Sequence, residues 1–286
     1  MQIETIIYEG NIKPTVFAGL LVPDSSQFSG VNKGSFNVFT NAVAQANAAI
    51  DHVKGTAVGT KLLVVPEYYF SDMGGAFTAD GSAPTPLSRG DKHSIYGKLK
   101  TLSSQYADLL IVAGSIFYQK GGTIRSKKGY NVVPVLYNGH LYHKYYKKMD
   151  DGNLKNADAE AEWNYKEKNP VFQLNGITFG LEVCGENSDP QHSLQKWVQN
   201  SGGPRVDVHI WLAGTTGHSK TNFAARVDGY CLHCDLLEGR NIVEKVTGTE
   251  ILMGNEYAKS ATPEAFNYQS AALANGSKID VYQLAL

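Results

Sequence analysis

The chain has 286 residues, 42% of them hydrophobic and 19% charged, with a formal net charge of −1. This much apolar material supplies a large core and argues against disorder, and a near-neutral balance without a long basic run argues against nucleic acid as a partner. The opening MQIETIIYEG has no basic start, long apolar core or small-residue cleavage site, no apolar run approaches a membrane span, and the three cysteines cannot all pair; a chain in a reducing cytoplasm, away from membranes, is expected.

Along the chain, TVFAGLLV (15–22) is apolar nearly throughout, as a strand buried on both faces would be. In SFNVFTNAVAQANAAIDHV, Phe36, Phe39, Val43, Ile50 and Val53 share a helical stripe. KLLVV (61–65) predicts a second strand, and 71–91, rich in Gly and Asp, a long loop. Leu99, Leu102 and Tyr106 mark a second helix, followed by strands at LLIVAGSIF (109–117) and NVVPVLYN (131–138). Asn138-Gly139 is a hairpin signal leading into the alternating HLYHKYY. A second loop is expected at 150–168, then a strand at ITFGLEVC (177–184). A third helix is expected from SDPQHSLQKWVQ, with Asp189 as cap, Pro190 in the first turn, and Leu194 and Trp197 facing inward. VDVHIWLA (206–213) supplies another core strand. Strands alternating with helices imply an α/β layered fold, and no boundary divides the chain, so residues 1–286 are taken as one domain.

Three strand ends carry chemistry. In KLLVVPEYYF the strand runs out at Pro66, and Glu67 follows, flanked by Tyr68, Tyr69 and Phe70. A carboxylate walled by rings is desolvated, which moves its pKa toward the range of a general base. In FGLEVCGENSDP a buried strand delivers Cys184 to a turn before a helix, with Gly185 allowing close backbone approach. An inert core cysteine is the competing reading. The strand after Asn138-Gly139 carries Lys144 and ends at Lys147 and Lys148, each of which could equally reach solvent. Strand ends cluster in layered α/β folds. There, a cation favours a thiolate, a carboxylate can carry a proton from thiol to leaving amine, and an ammonium can stabilise a tetrahedral oxyanion.

Together these residues resemble the carbon–nitrogen hydrolase (nitrilase/amidase) superfamily, which uses a Glu-Lys-Cys triad in that chain order on a four-layer α-β-β-α sandwich. Glu67 matches the acid after the strand-ending proline, Cys184 matches the nucleophile, and the lysine at the end of the strand following a turn glycine matches Lys147, with Lys144 and Lys148 as competing choices. Pro190 and the stretch AARVDGY (224–230), similar to the family's Ala-Arg-Ala helix before a core strand, extend the resemblance over about residues 15–250. The family's second glutamate, about two dozen residues before the cysteine, matches Glu160, with Glu162 as the alternative and a solvated loop acid as the competing reading for both. The chain departs from the pattern at Gly185, where the family has Tyr or Trp, although Glu186 keeps the following acid, and at WLAGTTGHSK (211–220). The CLHC run (231–234) has Cys-x-x-Cys spacing but no second cysteine pair, so Cys231 and Cys234 read as core packing, with no metal.

The resemblance implies a cysteine-dependent amidohydrolase acting on a small-molecule amide, with Gly185 supplying a backbone oxyanion donor, no cofactor, and a homodimer or higher homo-oligomer. A nitrilase, an acyl transferase and a non-catalytic binding protein that retains the fold are the alternatives.

Overall fold

The computed structural model describes residues 14–22, 36–70, 84–122, 125–203, 205–214, 222–236, 241–246, 268–272 and 277–286. Its strands are β1 (Thr15–Val22), β2 (Thr60–Val65), β3 (Leu87–Ser88), β4 (Leu109–Ala113), β5 (Ile116–Gly122), β6 (Arg125–Tyr137), β7 (His140–Tyr146), β8 (Glu162–Trp163), β9 (Val171–Leu174), β10 (Ile177–Val183), β11 (Val206–Ala213), β12 (Ala225–Asp235), β13 (Ile242–Lys245), β14 (Tyr268–Ala272) and β15 (Lys278–Ala285). Its helices are α1 (Phe36–Lys54), α2 (Arg89–Gln105), the short α3 (Asn153–Ala157) and α4 (Leu194–Ser201). No described helix is long and apolar enough to cross a membrane.

Two sheets face each other. The larger runs β14-β15-β1-β2-β4-β6-β5-β3, with β7 and β8 on the free side of β6; the smaller runs β13-β12-β11-β10-β9. The period-two alternation of each strand assigns its side chains to layers. Val16, Ala18 and Leu20 of β1 and Leu62 and Val64 of β2 meet Phe179, Leu181, Val208, Ile210 and Leu212 between the sheets. Phe17, Leu21, Leu63 and Val65, one position along, point instead at the helix layer, against Phe39, Val43, Ile50, Leu99 and Leu102 of α1 and α2. On the outer face of the small sheet, Leu194 and Val198 of α4 cover Val206 and Cys231. The order is therefore α-β-β-α. Gly180 lets α4 lie close, since a Cβ there would stand 2.5 Å from a methyl of Leu194.

The strands at 15–22, 61–65, 177–183 and 206–213, the two long helices and the hairpin all form where the patterning places them. Asn138 and Gly139 take φ of 49° and 74°, as a tight hairpin turn needs. Four expectations change. The run at 109–117 is two strands, broken at Gly114 (φ 65°) and Ser115, whose hydroxyl is needed elsewhere, as described below. The third helix starts at Leu194, not near Pro190, because Ser193 is its cap, accepting the Lys196 N–H at 3.3 Å; Asp189 instead closes a turn by accepting the N–H groups of Gln191 and His192, each at 2.8 Å. The stretch 224–230 is not a helix but the start of β12, where a register shift at Val206/Val208 carries the chain outward. Residues 150–168 are not wholly loop, since they contain α3 and β8. Of the expected loop at 71–91, residues 71–83 lie outside the described residues, as do 215–220 of the divergent stretch and the opening residues 1–13.

Helix α2 opens on a full capping box: Ser88 Oγ accepts the Asp91 N–H at 3.1 Å, and the Asp91 carboxylate accepts the Ser88 N–H at 3.3 Å. Ser88→Ala removes an orphan-donor partner at an exposed helix start, so it should cost about 1 kcal/mol of stability, seen as a lower urea midpoint with an unchanged slope.

Candidate active site

Beyond Val65, Pro66 has no N–H to continue the ladder and the chain turns. The turn is fixed by Tyr68, held at φ 60° with its N–H on Ser115 Oγ (2.9 Å) and its hydroxyl receiving Asn153 Nδ2 (2.8 Å). This is why β4 and β5 part at Ser115. Glu67, just before, is completely buried. Its Oε1 accepts from Asn131 Nδ2 at 2.8 Å and from Lys147 Nζ at 3.0 Å. Asn131 serves both partners, since its own carbonyl accepts the Lys147 N–H at 2.9 Å.

Lys147 is the first residue past β7 and is also completely buried. Its ammonium bonds Asp151 as well as Glu67, and lies 5.9 Å from the centre of the Tyr68 ring. Asp151 belongs to a tight turn: Gly152 adopts φ 90°, and the neighbouring Asp150 caps α3 by accepting the N–H groups of Leu154 (3.0 Å) and Lys155 (3.3 Å).

Cys184 follows β10 and opens a 3-10 turn over 184–188 with φ 53°. Its carbonyl accepts the Trp211 indole N–H at 2.9 Å. Glu186 clamps this corner to the other sheet: one oxygen accepts the Val183 N–H (2.9 Å), and the other accepts the Tyr145 hydroxyl (2.9 Å) and the Lys148 N–H (2.6 Å). The cysteine is thus tied to the strand end that bears Lys147. Its side chain lies within electrostatic reach of both Glu67 and Lys147.

Burial is the strongest influence on Glu67 and pushes its pKa up; Lys147 opposes, Asp151 adds to the rise, and the result stays above the ordinary carboxylate range. For Lys147 burial acts against the charge, but Glu67, Tyr68, Cys184 and Asp151 outweigh it and hold the ammonium. Oε2 of Glu67 receives no hydrogen-bond donor among the described residues. The site therefore holds a thiol, a fixed cation and a carboxyl group able to exchange a proton.

Glu67, Lys147 and Cys184 come together, and the Gly185 N–H points at Asp151 Oδ2, 3.4 Å away. Lys144 and Lys148 do not reach Glu67: Lys144 is half-buried on β7, and Lys148 pairs with the exposed Glu167 at 3.4 Å. Glu160 is exposed, its N–H on Asp158 at 3.2 Å, and Glu162 is exposed on β8. The acid that meets the lysine is Asp151, which the sequence reading passed over together with Asn131. The segment from Lys147 to Asp151 is irregular, so no helical spacing signalled their pairing in the sequence. Of the three rings after Glu67 only Tyr68 borders the site; Tyr69 and Phe70 pack on Phe39, with ring centres 5.2 and 4.9 Å away. Cys231 and Cys234 are buried in β12. No group of three or more potential metal ligands is clustered among the described residues.

Burial raises Glu186 to about 8 from an ordinary 4.5, although its hydrogen-bond donors oppose the rise. The folded chain therefore keeps a proton here that the unfolded chain releases above about 4.5, and stability from this group is lost as pH rises through that window. Urea midpoints should fall between these pH values by more in the wild-type chain than in Glu186→Gln.

No protein-family model matches the sequence, and no curated protein matches it. Solved structures do. Nit3 from Saccharomyces cerevisiae, a member of branch 10 of the nitrilase superfamily, aligns with a TM-score of 0.53 at 16% identity over 96% of this chain and 92% of its own. A cysteine-to-alanine mutant of the Nesterenkonia AN1 amidase from the same superfamily aligns with a TM-score of 0.54 at 12% identity over 96% and 92%. Glutamine-dependent NAD+ synthetase from Acinetobacter baumannii aligns with a TM-score of 0.50 at 12% identity, over 87% of this chain but 45% of the synthetase. At these identities the likeness is one of architecture, and it matches the layer order found above: the chain has the nitrilase-superfamily fold.

Proposed function

We propose that the protein is a cysteine-dependent amidohydrolase that cleaves a non-peptide C–N bond through a thioester. The observation that carries this reading is the buried Glu67–Lys147 pair at 3.0 Å, wholly shielded from water, with the Cys184 side chain within electrostatic reach of both. Two charges are costly to bury, and a thiol beside them is the arrangement that nucleophilic catalysis needs. The covalent addition of the acetamide moiety of fluoroacetamide to the active-site cysteine of the Nesterenkonia amidase is consistent chemistry on the same fold.

In this mechanism Glu67 takes the Cys184 proton as sulfur attacks the amide carbon. The carbonyl π electrons move to oxygen, which receives hydrogen bonds from Lys147 and the Gly185 N–H. As the intermediate collapses, the C–N bond breaks and the proton on Glu67 goes to the departing nitrogen. Water then attacks the thioester, giving a proton to Glu67; the C–S bond breaks and the sulfur recovers that proton. The sum is amide plus water to acid plus amine.

Intact-protein mass spectrometry against a panel of short amides and nitriles should catch an acyl adduct on Cys184 that Cys184→Ala lacks. Glu67→Gln should lower turnover by about 10²-fold or more. Iodoacetamide should label Cys184, 7% exposed, well ahead of Cys231 and Cys234, 1% and 0% exposed; equal, slow labelling of all three would instead mark a binding protein on a hydrolase fold.

A further inference from the structure

The two groups assigned to the oxyanion are already in use. Lys147 Nζ and the Gly185 N–H both donate to the same atom, Oδ2 of Asp151. We propose that Asp151 is a resident occupant of the oxyanion site, a carboxylate of the chain itself that the substrate carbonyl must displace before attack. This rests on the hydrolase reading above.

Three further observations favour an occupant over a fixed structural part. The Asp151 side chain is one-fifth exposed, whereas Lys147 and Glu67 are fully buried, so it closes the site from the solvent side. Its neighbours are anchored, Asp150 on α3 and Asn153 on Tyr68, so a rotation about the Asp151 side chain alone would withdraw the carboxylate to water. The space it fills exists because residue 185 is glycine: a Cβ there would lie 2.6 Å from Asp151 Oδ1. The missing ring at 185 and the presence of Asp151 are thus one feature. A carboxylate oxygen has the charge of the oxyanion but not of the ground-state amide, so a neutral substrate competes poorly with it. Asp151 tunes access to the site and takes no part in bond making.

The test separates reactions that need an oxyanion from one that does not. Acylation of Cys184 by p-nitrophenyl acetate, followed as the nitrophenolate burst, passes through a tetrahedral oxyanion; disulfide formation with methyl methanethiosulfonate does not. The ratio of the two rates cancels changes in thiol ionisation. Asp151→Ala should raise the ratio by about ten-fold or more, Asp151→Asn by less, and Gly185→Ala should raise it while leaving Asp151 in the chain, because the new methyl evicts the carboxylate. An unchanged or lowered ratio in both Asp151→Ala and Gly185→Ala, with thermal melts intact and Cys184 still the selective target, overturns the proposal and leaves the hydrolase reading standing. Failure of either reagent to prefer Cys184 over Cys231 and Cys234 in the wild-type chain and every variant removes the hydrolase reading and this proposal with it.

Discussion

An ion pair with no exposure to water sets the terms for its surroundings. Removing Glu67 and Lys147 from solvent costs several kcal/mol for each charge, and their attraction offsets that cost only if the geometry is good and the remaining hydrogen-bonding sites are filled. The structure surrounds the pair with groups from four places, Asn131 on β6, Tyr68 in the turn after β2, Asp151 past β7 and the thiol past β10, and leaves Glu67 Oε2 without a donor among the described residues. Ser115 then holds the Tyr68 turn, and this hydroxyl is why the run from Leu109 to Phe117 cannot remain one strand.

The cysteine corner is braced by a glutamate side chain on each side. Glu186 faces the large sheet, where Tyr145 and Lys148 donate to it, and also accepts the Val183 N–H at the end of β10 in its own sheet. Glu182 faces the helix side, accepting the Leu194 N–H at 2.7 Å, Asn187 Nδ2 at 2.7 Å and His209 Nε2 at 2.8 Å. Because His209 Nδ1 accepts the Ala224 N–H at 3.4 Å, its proton sits on Nε2 and points at Glu182. The Glu182 network therefore fixes the start of α4, the end of β10 and the entry to β12 together, and Glu186 fixes the two sheets against each other. One acid orders the outer layers and the other the inner ones.

How much of this was legible depends on whether the deciding contact is local. The apolar runs of β1, β2, β10 and β11 and the stripes of α1 and α2 declare themselves because each residue's burial follows from its own neighbours. The meeting of Glu67, Lys147 and Cys184 was also legible, because each ends a strand. The start of strand β12 was not, because the helix expected at 224–230 came from the family's pattern, whereas pairing with β11 makes the chain extended from Ala225; Gly229 shows how close that approach is, since a Cβ there would lie 2.6 Å from the Asp207 carbonyl. Strand β15 was missed because its partner, β1, lies at the other end of the chain, with Thr15 opposite Ala285. Asp151 escaped because a second acid was sought at a family spacing, in Glu160 and Glu162, when the one that meets the lysine stands four residues beyond it in an irregular segment whose path no local pattern gives.

The left-handed backbone at Cys184 has a cost of its own. Glycine rests in that conformation with little penalty, whereas any residue with a Cβ pays about 1 kcal/mol or more. The Trp211 indole and the Glu186 side chain hold the corner in place regardless. Glycine at this position would keep both braces, since the bonds from Trp211 and Glu186 run to backbone atoms. On the hydrolase reading, Cys184→Gly, which would relieve this strain, would also remove the nucleophile.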